Sequence, residues 1–142
     1  MTIDNSISNN HIDDIMDISS CKILSEENTH GGFHGDGEYF AKIDCSSLDN
    51  FDRFYKWEKL PLSQNIQEAM NMEYCDNNKC VSTLDKYNIP KIESGYYVFI
   101  DRHPEAKNTF DDTDLNNRYS YNFSLAMFDN KTKIIYFYEL DT

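Results

Sequence analysis

Apolar and polar residues alternate most regularly near the C-terminal end of the chain. Tyr119, Tyr121, Phe123, Leu125 and Met127 interleave with Ser120, Asn122 and Ser124. After Asp129-Asn130-Lys131-Thr132, the residues Ile134, Tyr136, Tyr138 and Leu140 interleave in the same way. A period of two belongs to a strand with one buried face, so two such runs around a turn predict a hairpin. A four-residue loop pairs Met127 with Ile134, Leu125 with Tyr136, Phe123 with Tyr138 and Tyr121 with Leu140, and every pair on that face is apolar. The opposite face is mixed: Asn122, Ser124, Lys133 and Glu139 share it with Ala126, Ile135 and Phe137, so something partly covers it.

Three other runs read as strands. Ser20 to Glu26 and Glu38 to Ser46 flank a glycine-rich stretch. If the chain turns near Phe33, Cys21 faces Cys45, Lys22 faces Asp44 and Ile23 faces Ile43, a register that matches apolar with apolar and charge with opposite charge. Tyr96 to Ile100 is continuously apolar and predicts a central strand buried on both faces. It ends at Asp101-Arg102-His103-Pro104-Glu105.

Helical spacing appears in four places. Ile12, Ile15 and Met16 predict a short helix over His11 to Ile18, behind a frayed segment of residues 1–9. Leu48, Phe51, Phe54 and Tyr55 predict a second. Leu62, Ile66, Ala69 and Met70 form an apolar stripe on a third, capped by Ser63 and running to about Met72. Val81 to Tyr87 is a weaker candidate that must stop before Pro90. Glu73 to Lys79 reads as a polar turn, and Glu105 to Asn117 as a long exposed loop. The resulting expectation is a single α+β domain over residues 1–142: an antiparallel sheet of about five strands with two or three helices packed on one face.

Composition narrows the function. The chain has 142 residues and a formal net charge of −12. Phosphate binding needs clustered cations, so direct nucleic-acid binding and anionic membrane surfaces are disfavoured. A basic protein partner, a cation or plain solubility fits an acidic surface. No apolar run approaches the roughly 18 residues of a membrane span. The opening Met1-Thr2-Ile3-Asp4-Asn5 lacks the basic and apolar regions of a signal peptide, which predicts a cytoplasmic protein with reduced thiols. Of Cys21, Cys45, Cys75 and Cys80, only the last two are close, with four residues between them. Zinc sites favour tighter C-x2-C pairs, so four free, metal-free thiols are expected. No cofactor is called for by any motif.

Candidate chemistry gathers around one stretch. Thr29-His30-Gly31-Gly32-Phe33-His34-Gly35-Asp36-Gly37 holds four of the five glycines. Glycine takes positive φ without a Cβ clash, so such clusters shape tight loops or let a ligand approach the backbone. One reading is a shaped hairpin loop with Phe33 turned inward. The other is a ligand or partner loop presenting His30, His34 and Asp36. A P-loop is excluded by the missing G-K-[ST]. His30 and His34 have metal-ligand spacing for a helix, which the glycines forbid. The second group is Asp101, Arg102 and His103, either an acid/base set or an arginine paired with a carboxylate where a strand meets solvent. The third is Asp111, Asp112 and Asp114. Its Asp112-Thr113-Asp114-Leu115-Asn116 opens like a calcium loop, but Asn117 and Phe123 stand where that loop wants Gly and Glu. No G-x-S-x-G is present.

Together the THGGFHGDG stretch at residues 29–37, Leu60-Pro61-Leu62, Gly95-Tyr96-Tyr97 with Asp101-Arg102-His103, and the ending Tyr136-Phe137-Tyr138-Glu139-Leu140-Asp141-Thr142 resemble small uncharacterised proteins of Gram-positive bacteria and their mobile elements. The resemblance covers most of residues 20–142 and implies a bacterial or prophage setting. It implies no activity and no catalytic residue. From the residues themselves, the expected function is a non-enzymatic inhibitor, immunity or regulatory factor acting on a basic protein partner. The alternative is a small-molecule or metal-dependent hydrolase site formed by the glycine loop and Asp101–His103. The oligomeric state is left open.

Overall fold

The computed structural model describes residues 11–12, 15–30, 36–48 and 56–142. Two long antiparallel hairpins and a third long strand build one sheet. In chain order the elements are β1 (Lys22–Asn28), β2 (Gly37–Asp44), β3 (Glu58–Lys59), α1 (Gln64–Met70), β4 (Glu73–Asp76), β5 (Lys79–Ser82), α2 (Thr83–Lys86), β6 (Gly95–Asp101), β7 (Asn122–Asp129) and β8 (Ile134–Asp141). Six strands form an antiparallel sheet in the order β1-β2-β8-β7-β6-β3, and β4-β5 is a separate ribbon.

This overturns the α+β expectation of about five strands with helices on one face. The described residues are mostly β, with eight strands and two helices of seven and four residues. The physical reason lies in the strands themselves. β2, β7 and β8 each carry apolar side chains on both faces, so the sheet needs cover on two sides. On one side Phe40, Phe99, Phe123, Leu125, Met127, Tyr136, Tyr138 and Leu140 pack with Ile66, Ala69 and Met70 of α1, and with Tyr87 and Ile89. On the other, Tyr39, Ala41, Ile43, Val98, Ala126, Phe128, Ile135 and Phe137 pack with Ile12, Met16, Leu48 and Trp57.

Only α1 matches its sequence reading closely. The Ser63 hydroxyl accepts from the Ile66 N–H at 3.3 Å, and the helix buries Ile66, Ala69 and Met70. The weaker helix is a strand as far as Ser82 and then a single turn. Of the expected polar turn Glu73 to Lys79, only Asn77 and Asn78 turn, both with positive φ, 49° and 69°; Glu73–Asp76 is β4 and Lys79 begins β5, so the turn closes a ribbon. Asparagine tolerates that region, and two such residues in a row make the tight turn that suits twisted strands. At the N-terminus one turn is present, with Ile15 and Met16 N–H groups on the Ile12 carbonyl. Met16 to Ile18, the end of that expected helix, are not helical; Asp13 and Asp14, the frayed segment 1–9 and all but Leu48 of the helix at Leu48 to Tyr55 lie outside the described residues.

The C-terminal hairpin forms with its pairing shifted by two residues. Leu125 faces Tyr138, Phe123 faces Leu140 and Met127 faces Tyr136. The loop is residues 130–133, not 129–132, because Asp129 stays in the strand and organises the turn. Its side chain accepts from the Lys131 N–H and its carbonyl from the Lys133 N–H, both at 2.8 Å, while Lys133 takes φ 61°. A shift of two preserves the faces, so Leu125 and Tyr136 remain on the same side.

At the other hairpin, Lys22 pairs with Asp44 and Ile23 with Ile43, as expected. A bulge between Ile23 and Ser25 then alters the register, leaving Ser25 opposite Lys42. Cys21 and Cys45 are not free thiols but a disulfide, and so are Cys75 and Cys80. The expected register already sets Cys21 against Cys45, and the β4–β5 pairing sets Cys75 against Cys80, which brings both pairs of sulfurs within bonding reach. β6 is paired on both sides, but β3 is only two residues long. Gly95 is required there, since a Cβ would lie 1.8 Å from the Phe128 carbonyl oxygen. Among the described residues, no helix is long and apolar enough to cross a membrane.

Phe123 is fully buried, with its ring 5.8 Å from that of Phe99 and 5.9 Å from those of Tyr121 and Tyr138. Replacing it by Ala deletes buried area and leaves a cavity, at a cost of about 3–5 kcal/mol. Urea denaturation should show a midpoint shift of that size with an unchanged slope. A loss under 1 kcal/mol would contradict this packing.

Candidate functional site

Two of the sequence-derived groups meet at Asp141. His30, the last described residue before the glycines, places Nε2 2.8 Å from Asp141 Oδ2. Arg102, the first residue after β6, places Nη1 2.8 Å from Asp141 Oδ1. Antiparallel pairing explains the convergence. Gly37 at the start of β2 faces Asp141 at the end of β8, and Asn122 at the start of β7 faces it from the other side. One end of the sheet therefore collects His30 and Gly37, the end of β6 and the end of β8. Gly37 has φ 149°, and a Cβ there would come within 2.7 Å of the His30 backbone. Glycine at 37 is what lets His30 lie against the strand.

Behind Asp141 lies a row of polar groups on the same sheet face. Arg102 Nε donates to the Ser124 hydroxyl at 2.9 Å, and Nη2 to the Phe123 carbonyl at 2.8 Å. Ser124 donates to Glu139, which also accepts from the His11 backbone N–H at 3.2 Å and faces His11 Nδ1 at 2.7 Å. Ser124 and Glu139 are fully buried. His11, Ser124, Glu139 and Asp141 were missed as site residues. Their signal was Glu139 and Asp141 two apart in an apolar strand, opposite Ser124 and Asn122.

The remaining candidates go elsewhere. Gly31, Gly32, Phe33, His34 and Gly35 lie outside the described residues. Asp36 is exposed. Asp101 is buried and binds Arg118 and the His103 N–H. His103 Nδ1 accepts from the Glu105 N–H at 3.1 Å, and Nε2 lies 3.2 Å from the Ser120 hydroxyl. His30 and Arg102 thus share one carboxylate, while Asp101 and His103 serve a different loop.

What this arrangement does chemically follows from its saturation. Arg102 spends its donors on Asp141, Ser124 and a carbonyl. Among the described residues no buried side-chain nitrogen or oxygen lacks a partner. Ser124 donates to a carboxylate, not to a histidine base, so it lacks the relation that activates a serine nucleophile. The cluster binds strands to loops. Burial raises the Asp141 pKa, but hydrogen bonds from Arg102 and Asn122, the Arg102 charge and the His30 bond outweigh it, holding the carboxyl below its ordinary value.

On the opposite face Glu38 receives bonds from Lys86, Tyr138 and, at 3.1 Å, Tyr87. Burial pushes this carboxyl up, and those bonds bring it below the usual range. Burial first, then the Glu38 partnership, pushes the Tyr138 and Tyr87 hydroxyls far above theirs.

A third feature lies at the β3 edge. A cleft of about 220 Å³ is lined by Lys56, Glu58, Tyr97, Val98, Phe99, Phe110, Asp111 and Asp112. Phe110 is 63% exposed there. Burial first, and then the negative charges of Glu58 and Asp112, raise the Tyr97 pKa. Asp112 also anchors α1, accepting from the Ser63 hydroxyl and from Asn65 Nδ2 at 3.2 Å. Comparison with protein-family models, curated proteins and solved structures finds no match for this chain.

Because the folded Asp141 carboxyl titrates below its unfolded value, its stabilisation is complete above the ordinary aspartate pKa of about 3.9 and is lost as pH falls through the lower folded value. Arg102→Met should cost roughly 3 kcal/mol at pH 7, since it leaves Asp141 without its main partner. The same variant should lose less stability than wild type between about pH 6 and pH 3, because the depressed pKa has gone. Parallel pH-stability curves that keep a constant offset would refute the pairing.

Proposed function

We propose that this chain is a non-enzymatic protein-binding factor, of the inhibitor, immunity or regulatory kind, that engages a basic partner at the acidic cleft beside β3. The observation that carries this reading is Phe110, exposed at 63% next to Glu58, Asp111 and Asp112. An exposed aromatic ring beside carboxylates offers both an anchor to bury and a field that speeds encounter with a cationic surface. The net charge of −12 works in the same direction. The ion pairs of Lys86, Arg102 and Arg118 each join one cation to one carboxylate and so leave that net charge unchanged.

The hydrolase alternative has one supporting observation, the meeting of His30 and Arg102 at Asp141. Among the described residues no unengaged nucleophile or base stands at that place, so the binding reading is favoured. A cytoplasmic location goes with it as part of the proposal. An oxidising compartment keeps the Cys21–Cys45 and Cys75–Cys80 disulfides of the structure, and a reducing one opens them to thiols.

Affinity capture from the organism that carries the gene, at low and moderate salt, provides the test. Wild type should retain a basic protein at low salt and less of it at moderate salt, because exposed charge pairs are screened. Phe110→Ala and the double variant Glu58→Lys/Asp111→Lys should reduce retention at least about tenfold while leaving the fold intact. Asp112 is left unchanged because it anchors α1. If nothing is retained at either salt, and a metabolite or metal instead raises the melting temperature by several degrees, the binding reading is wrong.

A further inference from the structure

We propose that the β4–β5 ribbon is a redox-gated zinc site made by Glu73, Cys75 and Cys80. This stands apart from the cleft at Phe110 and does not depend on it. Cys75 and Cys80 are directly opposite one another, and Glu73 is two residues before Cys75 on the same strand. Side chains two apart in a strand share a face, as do directly paired residues. The ligand atoms of all three lie within 4.8 Å of one another, and all three residues are exposed. Ser82, opposite Glu73 on that face, is occupied in capping α2, accepting from the Asp85 N–H at 3.2 Å.

The register does not depend on the sulfur bond. The Asn77-Asn78 turn and the flanking pairs Asp76–Lys79 and Tyr74–Val81 fix it. Reduction therefore leaves the two sulfurs facing each other. Zinc–sulfur bonds of about 2.3 Å in a tetrahedron put two thiolates about 3.7 Å apart, within reach of side-chain rotation alone. Glu73 supplies the third ligand and water the fourth, the pattern of an open zinc site. The other pair differs in access, since Cys45 is fully buried. A reductant meets Cys75–Cys80 first.

The chemistry balances with a dithiol as reductant. One thiolate attacks a sulfur of the Cys75–Cys80 bond, the second closes the dithiol into its own disulfide, and two electrons and two protons pass to the protein as two thiols. Zinc binding then releases both thiol protons to solvent. In reverse, an oxidising disulfide takes two electrons from the two thiolates and leaves as two thiols after gaining two protons. The Cys75–Cys80 bond re-forms and Zn²⁺ is released.

The test is metal titration of the full chain, reduced with a dithiol and desalted under anaerobic conditions. Cobalt(II) should give thiolate-to-metal charge-transfer absorption at one equivalent, and zinc should displace it. Cys75→Ser and Cys80→Ser should each abolish the band. Glu73→Gln should weaken binding about tenfold or more. The double variant Cys21→Ser/Cys45→Ser should retain the band, and the oxidised wild type should lack it. Far-ultraviolet circular dichroism confirms that each variant is folded. The proposal is overturned if the reduced wild type gives no band, if Cys75→Ser keeps it, if Glu73→Gln binds as tightly as wild type, or if the oxidised protein binds equally well.

Discussion

Carboxylates inside the sheet determine where the rest of the chain goes. Glu38, Asp101 and Glu139 are buried, and Asp141 is nearly so. An ion removed from water costs several kcal/mol unless it is paired and hydrogen-bonded. Each is met by a cation or histidine from a peripheral segment: Lys86 of α2 on Glu38, Arg118 on Asp101, His11 on Glu139, and Arg102 with His30 on Asp141. α2, the segment at His11, His30 and the long loop after β6 are thus tied to the sheet through carboxylates, the loop twice, by Arg102 and Arg118. Apolar packing alone would let these segments slide, because it has no direction. A carboxylate with two fixed oxygens does not.

The fold was legible where one periodicity dominated. Alternation at Tyr121 to Leu140 located β7 and β8 and assigned their faces, and Ser63 with Ile66, Ala69 and Met70 located α1. It failed where a turn decided the outcome. Asp129 bonding to Lys131 and Lys133 moves the hairpin by two residues, and nothing in the alternation distinguishes the two registers. At Cys80-Val81-Ser82 a short strand and a helix have the same apolar spacing, and the Asn77-Asn78 turn selects the strand. The mixed outer face of the hairpin was visible in Ala126, Ile135 and Phe137. What covers it, Ile12, Met16, Leu48 and Trp57, depends on contacts distant in sequence.

The candidate site was legible by halves. His30 and Arg102 were singled out for their chemistry, and they meet. Asp141, which joins them, looked like an ordinary polar terminus. Only the antiparallel order places the ends of β2, β8 and β7 side by side. Ser124 and Glu139 fell on a mixed face read as partly covered, and only the covering segment shows that they form a buried polar pair. His103 shows the converse: its neighbour Arg102 joins the cluster, yet its own ring turns to Ser120, because successive residues leaving a strand point to opposite sides.

The two borders of the six-stranded sheet are unequal. On one, β3 offers only two residues to a newcomer. On the other, β1 presents seven exposed residues, including Ile23 and Leu24, with an open row of backbone donors and acceptors. Such a border invites a second molecule to add a strand, the first step toward fibrils. Here the bulge after Ile23 breaks the straight run, Glu26 and Glu27 place negative charge along the remainder, and the Cys21–Cys45 link holds the strand's first turn to β2. Two copies meeting edge to edge would bring like charges together over an irregular backbone. The acidity of β1 thus guards against self-association along this border.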